Sequence, residues 1–588
     1  MKLQTRAVDL LAQQRLLEGG LPPLLARLLA ARGITNVDDT RLELAGLLPP
    51  HALKGLSAAA SLLSDVIDRR EPILVVGDYD CDGATAIAVA VLGLRAMGAT
   101  VDYLVPNRFE NGYGLTPEVS DMAARHPRLG RPALLVTVDN GIASVAGVER
   151  AHALGMKVLV TDHHLPGERL PDAAVIVNPN QAGCPFPSKC LAGVGVMFYL
   201  LTALRALRRD QGRFGGPGGQ PEPPLGPLLD LVALGTVADV VPLDRNNRIL
   251  VAAGVQRMRA GRCRPGISAL LQVARRSART MSAADLGFAV GPRLNAAGRL
   301  SDMSIGVECL LADDFTRALE LAEQLDGINQ ERRAIEQTMR EQAMGLLCDV
   351  DPQRLALVVQ DPGWHHGVIG LVASRIKDLH HRPCVALAPE NDEIMRGSGR
   401  SIPGVHLRDV LDLVEKRNPG MLLKFGGHAM AAGLSMHRAD LAAFEAAFEA
   451  AVATLADPEA FSPCLLTDGP LDAQEMSLAV IEQIDSQIWG QGFAQPLFSG
   501  RFSILSQRLI KDRHMKLELA LESAPRRRLK AIFFGRAEAL PRQAVLAFRL
   551  QREEYQGLAG VCLHIEHVLS EMTARDEIAR DAAATLVR

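Results

Sequence analysis

No apolar run in this chain approaches the roughly 20 residues needed to cross a bilayer, which excludes a helical membrane protein. The first residues do not read as a secretory signal: Arg6, Asp9 and Arg15 interrupt the apolar stretch, and no small-residue cleavage site follows. Paired cysteines are lacking too. The nine cysteines are scattered singly with no C-x-x-C pair, which points to reduced thiols in a cytoplasmic protein and away from a disulfide scaffold. Cys184 and Cys190 flank a proline-containing loop, but two cysteines without partners make a poor zinc site. Excess charge of one sign is also missing. The formal net charge is −3, so binding of a polyanion must rest on local patches.

What the chain does have is one organising stretch, Ile73-Leu-Val-Val-Gly-Asp-Tyr-Asp-Cys-Asp-Gly-Ala-Thr85. Ile73 to Val76 are apolar and largely β-branched, and read as a short buried strand of a parallel sheet. Gly77 ends it, and Asp78, Asp80 and Asp82 follow at alternate positions. Residues two apart in an extended segment point the same way, so the three carboxylates are expected to converge on one spot. Converging anions repel unless a cation sits among them, which favours a hard divalent metal over a merely polar loop. Gly83 then turns the backbone into an apolar helix, Ala84 to Leu94.

With 588 residues, 48% hydrophobic and 22% charged, the chain is a globular protein too long for one core, and three or four domains are expected. Residues 1–57 read as an N-terminal helical segment, broken at Gly19-Gly20 and Pro49-Pro50, with no evident chemistry. From residue 58 strands and helices alternate. Strand candidates are Ile73–Val76, Val101–Val105, Ala133–Val138, Val158–Thr161 and Ala174–Val177, with helices such as Thr116–Arg125 and Val145–Leu154 between them. This alternation predicts an α/β fold with a doubly wound parallel sheet, whose ligands bind beyond the carboxyl ends of the strands.

Two further strands deliver chemistry to that same edge. Ala133–Val138 ends in Asp139-Asn140-Gly141, and Val158–Thr161 ends in Asp162-His163-His164. Asp239 lies on an apolar helix and needs a partner there, because burying an unpaired charge is expensive. Singly, Asp139 reads as a turn residue, Asp239 as a capping acid and the histidines as polar surface. Jointly, Asp78, Asp80, Asp82, Asp139, Asp239, His163 and His164 offer more donors than one octahedral ion needs. Two ions about 4 Å apart are the common arrangement for phosphoester hydrolysis. Mixed carboxylate and imidazole ligands suit Mn2+, with Mg2+ a substitute, and disfavour a zinc-only site.

These residues match a family. Asp78-Tyr-Asp-Cys-Asp-Gly83, Asp139-Asn-Gly141 and Asp162-His-His164 resemble motifs of the DHH phosphoesterases, and Gly426-Gly-His428 resembles the signature of their companion DHHA1 domain. Within the family the chain is similar to the exonucleases specific for single-stranded DNA. The stretches that carry this are Asn107-Arg-Phe-Glu-Asn-Gly-Tyr-Gly114, Ala233 to Pro242, Pro292-Arg-Leu-Asn-Ala-Ala-Gly-Arg299 and Ser398-Gly-Arg-Ser401. The resemblance covers roughly residues 60 to 575. It implies that Asp78, Asp80, Asp82, Asp139, His163, His164 and Asp239 form the metal centre, with Asp139 as the bridge and Asp162 orienting the imidazoles. Two assignments of the histidines stay open: both as ligands, or one as a ligand and the other acting on the substrate.

Past a Gly/Pro-rich loop at 211–227, the spacing of Ala318, Ala322, Leu325, Ile328, Ile335, Met339 and Ala343 predicts a long helix from about Asp314 to Leu347. A second α/β unit follows, with strands Leu355–Val359, Val385–Leu387 and Met395–Ser401 and helix Val368–Lys377. Arg396, Ser398, Arg400, Ser401, Gly426, Gly427 and His428 offer hydroxyls, guanidinium groups and close backbone amides, which suit a phosphate. In the reading the family suggests, Ser398 and Arg400 hold the 5′-terminal phosphate, while His428 and Arg299 address the scissile one. Trp364-His365-His366 reads as a loop leading into a helix.

The last part shifts to short alternating runs around 501–505, 515–519, 529–534 and 561–565, a small β-barrel that the resemblance makes an OB-fold. Between residues 497 and 557, thirteen Lys or Arg face six Asp or Glu, a local excess of seven, with Phe502, Phe533, Phe534 and Tyr555 interleaved. Basic charge with aromatic platforms suits single strands. Trp489-Gly-Gln-Gly-Phe-Ala-Gln-Pro496 only partly follows the family's Gly-Asn-Pro-x-Pro pattern.

The expected domains are therefore 1–57, helical; 58–310, DHH; 311–349, connecting helix; 350–457, DHHA1; and 458–588, OB-fold and tail. The resemblance implies a 5′→3′ exonuclease that hydrolyses single-stranded DNA to mononucleotides. Asn107, Arg108, Phe109 and Tyr113 would admit the unpaired strand, and single-strand-binding protein and a helicase are the implied partners of a monomer. Two rivals remain: a DHH phosphodiesterase acting on short oligonucleotides or cyclic dinucleotides, and a non-catalytic single-strand-binding scaffold.

Overall fold

The computed structural model describes residues 2–107, 110–215, 221–347, 351, 353–555 and 558–569. The chain forms two units, one comprising Val8–Asn329 and Gln483–Gln495, the other Met1–Ala7, Gln330–Glu482 and Pro496–Arg588. Residues 483–495 belong with the first unit, and the N-terminal strand Lys2–Thr5 pairs in parallel with Cys464–Thr467 in the second.

The first unit is built on five parallel strands, β1 (Ile73–Gly77), β2 (Val101–Leu104), β3 (Leu134–Val138), β4 (Lys157–Thr161) and β5 (Val175–Val177), in the order β2-β1-β3-β4-β5. Every residue of β1 and β3 is buried, which is why they read as continuous apolar runs. Leu74, Val76, Leu135, Val158 and Val160 form one core with the helices Pro117–Ala124 and Val145–Ala153. The helices Cys81–Ala96 and Gly193–Asp210 also pack against the sheet strands. From β1 the chain goes outward to β2 and then returns past β1 to β3. The strand order therefore reverses between β1 and β3, and in open α/β sheets that crevice is where ligands bind.

The helix Phe315–Leu347 begins in the first unit and ends in the second; at 33 residues it is about 50 Å long. The second unit carries a mixed sheet of β6 (Leu357–Gln360), β7 (Cys384–Pro389), β8 (Ile394–Arg400), β9 (Leu422–Gly427) and β10 (Ala431–His437), ordered β9-β10-β8-β7-β6. It also carries a closed five-stranded barrel of β11 (Phe498–Ile510), β12 (His514–Leu521), β13 (Ala524–Phe533), β14 (Gln543–Tyr555) and β15 (Leu558–Leu569). Strand β14 has no counterpart among the alternating runs of the sequence. Its residues Ala544 to Phe548 are all buried, so the period of two is hidden.

No helix among the described residues is long and apolar enough to cross a membrane.

Candidate metal centre

Three loops meet at the carboxyl ends of β1, β3 and β4. After β1, the Asp78 carboxylate accepts from the Tyr79 amide (2.8 Å). Asp80 is extended and caps the helix Cys81–Ala96, accepting from the Gly83 amide (2.9 Å). Because that helix starts at Cys81, Asp82 is not in an extended segment; it joins His163 and Asp239, while Asp78 and Asp80 join Asp139, in overlapping donor groups. Asp82 turns instead to the start of the helix Gly193–Asp210, where it accepts from the Gly193 (2.7 Å) and Val194 (2.9 Å) amides. An anion is favoured there by the unpaired first-turn amides.

After β3, Asp139 adopts φ +60°, a left-handed conformation that Asp tolerates better than most residues. The Asn140 side-chain amide donates to the Val76 (3.1 Å) and Val138 (2.9 Å) carbonyls, fastening the ends of β1 and β3 together. After β4, one Asp162 oxygen accepts from the His163 amide (2.7 Å), the His164 amide (3.1 Å) and His164 Nδ1 (2.7 Å), and the other accepts from the Ile142 amide (2.9 Å). Asp162 thus fixes the His164 imidazole and the backbone that carries His163.

The assembled donors form three overlapping groups, Asp78–Asp80–Asp139, Asp82–His163–Asp239 and Asp139–His163–His164, each with its ligand atoms within 4.8 Å of one another. His163 Nε2 lies 3.1 Å from Asp139 Oδ1 and 3.5 Å from Asp239 Oδ2. Those distances suit ion pairs, yet none of the three atoms has a hydrogen-bond partner although all are buried. Buried acceptors left unmatched cost about 1–3 kcal/mol each. A divalent cation among oxygen and nitrogen donors would satisfy them, so the residues present fit metal binding.

The electrostatics agree. Burial, reinforced by Asp239, pushes the Asp82 carboxyl up to about 7, and burial with Asp80 does the same for Asp239. Burial, then Asp82 and Asp80, holds Asp139 well above the carboxylate range. Burial lowers His163, leaving a neutral ring with a lone pair to offer. Burial opposes charge on His164 as well, but its hydrogen bond to Asp162 prevails and raises it to about 9.

These shifts give a pH dependence with a definite sign. Asp82, Asp239 and His164 all bind protons more tightly folded than unfolded, so each contributes stability that is lost as pH rises through its folded value. The melting temperature of metal-stripped protein is expected to fall as pH rises from about 4 to about 7 through Asp82 and Asp239, and on to about 9 through His164. The rise on adding Mn2+ is expected to grow up to about pH 7, because metal binding releases the protons of Asp82 and Asp239. Thermal scans with chelator and with Mn2+ check this; a flat or rising midpoint without metal would contradict the electrostatic account.

Near this centre Tyr113 stands edge-on to His164 (5.9 Å) and to Tyr79 (6.2 Å), with half its surface exposed. The Asn107 backbone amide donates to Asn111 Oδ1 (3.0 Å); Arg108 and Phe109 lie outside the described residues. Gly298 sits directly under the Tyr79 carbonyl, which brings Arg299, in the last turn of the helix Gly291–Leu300, beside the Asp78–Asp82 loop.

The second unit gathers the other candidates. Ser398 on β8 faces Gly433, which faces Gly426 on β9, and Gly399 and Gly427 both face Ala432. Arg400 Nη1 donates to Ser398 Oγ (3.0 Å) and to the Gly399 carbonyl (2.8 Å), and burial lowers its pKa. The first turn of the helix Ile369–His380 rests on both side chains at Gly370. The His428 amide donates to the Ala431 carbonyl (2.8 Å), closing the turn between β9 and β10. Ser401 is 1% exposed and its hydroxyl donates to the Val405 carbonyl (2.7 Å), so it holds a turn rather than facing a ligand. Arg396 pairs with Glu390 (2.6 Å) at the surface.

Sequence reasoning did not single out the residues that hold the loops. Asn295 accepts from the Cys81 amide (2.8 Å), and Asn178 and Asn180 donate to the His164 (2.9 Å) and His163 (2.6 Å) carbonyls. Asn295 stood inside a recognised motif, but nothing local marked the other two.

Family models match the chain at residues 72–236 (DHH family, N-terminal domain), 353–456 (DHHA1 domain) and 467–567 (RecJ OB domain). Sheet, switch-point cluster and companion domains together define a protein of the DHH class. The chain is 48% identical over 580 residues to the single-stranded-DNA-specific exonuclease RecJ of Escherichia coli K12, covering 97% of this chain and 99% of that one. Crystal structures of Thermus thermophilus RecJ with Mn2+ (29% identity, TM-score 0.79, covering 97% of this chain and 79% of that one) and with Mg2+ (28%, 0.74, 97% and 78%) share its fold. The chain belongs to the RecJ family.

Proposed function

We propose that this protein is a 5′→3′ exonuclease that hydrolyses single-stranded DNA to 5′-mononucleotides in DNA repair and recombination. The observation that carries this reading is the set of buried, unmatched atoms Asp139 Oδ1, Asp239 Oδ2 and His163 Nε2 at the switch point of a parallel sheet. The residues that would hold two Mn2+ or Mg2+ ions are Asp78, Asp80, Asp82, Asp139, His163, His164 and Asp239, with Asp139 and His163 each common to two of the donor groups. Such ions supply activation of water and neutralisation of charge on the phosphoryl oxygens.

The chain's own groups then divide the work. His163, neutral, serves as a ligand. His164, oriented by its bond to Asp162, either completes the ligand set or faces the reacting phosphate, and Tyr113 stands edge-on beside it to receive the terminal base. Arg299 contacts the DNA backbone next to the centre. In the second unit Ser398, Arg400, Gly426, Gly427 and His428 form a phosphate-binding surface. Single-strand-binding protein and a helicase would supply unwound ends to this monomeric, cytoplasmic enzyme.

Mn2+-dependent digestion of long single strands tests the reading. A blocked 5′ end is expected to stop degradation and a blocked 3′ end to leave it intact; the reverse would refute the polarity. Rapid cleavage of dinucleotides with little action on long strands would favour the short-substrate rival.

The barrel adds a separate prediction. Phe502 is fully buried against Phe548, whereas Phe534 is half exposed, with His514 and His564 edge-on at 5.3 Å each. Phe533 is partly buried with Arg536 over its ring, and the Tyr555 side chain lies outside the described residues. Stacking on an aromatic contributes about 1–3 kcal/mol per base, so Phe534→Ala is expected to weaken single-strand binding about 5- to 150-fold in a fluorescence titration. Phe502→Ala is expected to lower the melting temperature instead.

A further inference from the structure

Residues Trp489 to Phe493 close a tight turn within the first unit. The Gly490 amide donates to the Phe493 carbonyl (2.9 Å), the Phe493 amide donates to the Gly490 carbonyl (3.1 Å), and Gly492 takes φ +70°. The Trp489 and Phe493 rings stack with centroids 5.2 Å apart and 17° between their planes. Each ring carries a guanidinium, Arg248 at 4.2 Å from Phe493 and Arg32 at 5.0 Å from Trp489. Arg32 Nε also donates to the Ala494 carbonyl (2.7 Å), and Trp489 Nε1 to the Ile484 carbonyl (2.7 Å).

Arg248 is the most unusual member. It is 1% exposed, and its Nε and Nη1 have no hydrogen-bond partner. A desolvated cation over an aromatic face is the strong form of that interaction, and the Phe493 ring faces this guanidinium where Nε and Nη1 have no hydrogen bond.

The turn lies against the corner that follows Asp239. The Leu243 amide donates to the Gln491 carbonyl (2.7 Å), and a Cβ added at Gly490 would stand 2.6 Å from Leu243 Cδ1. The Asn247 side chain donates to the Pro242 carbonyl (3.0 Å), holding the corner from the following helix. Within the corner Val240 takes φ +64° while 60% exposed. A β-branched residue keeps that conformation only where the surroundings impose it.

We propose that the turn Trp489–Phe493 is a positioning element for Asp239: clamped by Arg32 and Arg248, it holds the Asp239–Leu243 corner so that the Asp239 carboxylate stays beside His163 and Asp82. The turn touches no reacting atom, and the inference rests on Asp239 being a cation ligand.

The test uses full-length protein and counts bound Mn2+ by electron paramagnetic resonance of the free ion. Phe493→Ala and Gly490→Ala are each expected to weaken one of two bound ions about 10- to 100-fold, the usual effect of removing a ligand's support. At saturating Mn2+ kcat is expected to recover, with KM for DNA unchanged, and Phe493→Tyr is expected to bind Mn2+ as the unaltered protein does. Should Phe493→Ala fail to fold, Gly490→Ala carries the test. Leu63, fully buried in the helix Leu56–Asp68 of the same unit, supplies the control: Leu63→Ala is expected to lower the melting temperature without changing Mn2+ binding. Unchanged Mn2+ binding in folded Phe493→Ala and Gly490→Ala would overturn the positioning role, as would equal weakening in Leu63→Ala. Asp239→Asn separates the two readings: weakened binding there keeps Asp239 as a ligand whatever the turn does, and unaltered binding of both ions would overturn the ligand assignment itself.

Discussion

Asp139→Asn is expected to lower the rate of single-strand hydrolysis by about 10³-fold or more, a loss of about 4 kcal/mol of transition-state stabilisation. Asparagine is the right replacement because residue 139 sits at φ +60°, which Asn tolerates and Ala does not. It keeps the size and shape of the side chain and removes only the negative charge. The charge matters because Asp139 belongs to two of the three donor groups and its Oδ1 is buried without a hydrogen bond. The same substitution is expected to raise the melting temperature of metal-stripped protein, since it relieves repulsion from Asp82 and Asp80. Opposite signs for activity and metal-free stability are the mark of a ligand. Near-normal hydrolysis by a well-folded Asp139→Asn protein would remove Asp139 from the centre.

Gly193→Ala is expected to cost at least 100-fold in activity through packing alone. A Cβ at this position would stand 2.6 Å from both the Cβ and Oδ1 of Asp139, and both belong to a loop fastened by Asn140. The helix Gly193–Asp210 must therefore retreat, which breaks the amide bonds from Gly193 and Val194 to Asp82. Overpacking of this kind usually costs about 1–3 kcal/mol in stability. Here it also separates Asp82 from Asp139, so Mn2+ affinity is expected to fall with activity. Steady-state rates and Mn2+ binding measured on the same preparation check this, and a Gly193→Ala protein with normal values of both would show that the helix start does not set the spacing of the carboxylates.

Much of this architecture is legible in the residues. Ile73–Val76, Ala133–Val138 and Val158–Thr161 announce themselves because strands buried on both faces are apolar throughout, and each is followed by acids that no core would tolerate. The periodic spacing from Ala318 to Ala343 gives the long helix nearly to the residue, Phe315–Leu347 against an expected Asp314–Leu347. Other features depend on contacts across the sequence. The division of Asp78 and Asp80 from Asp82 depends on where a helix begins, and Cys81 is a poor marker of that. The amide donors to Asp82 come from residues 193 and 194, some 111 and 112 positions away. Ser401 looked like a phosphate ligand from its neighbours Ser398 and Arg400, but its hydroxyl is directed to a carbonyl four residues on. Trp489 to Phe493 fall within the expected barrel segment 458–588, whereas their aromatic rings are matched by arginines at 32 and 248.

The way the two units are threaded along the chain bears on how the enzyme can be dissected. A truncation at residue 482, intended to remove only the barrel, would also delete 483–495 and strip Arg248 of its aromatic cover. Loss of nuclease activity in such a fragment would report damage to the metal-bearing half as much as loss of DNA grip. A cleaner excision keeps the chain through Gln495, and trimming the first seven residues disturbs the opposite half, where Lys2–Thr5 is paired.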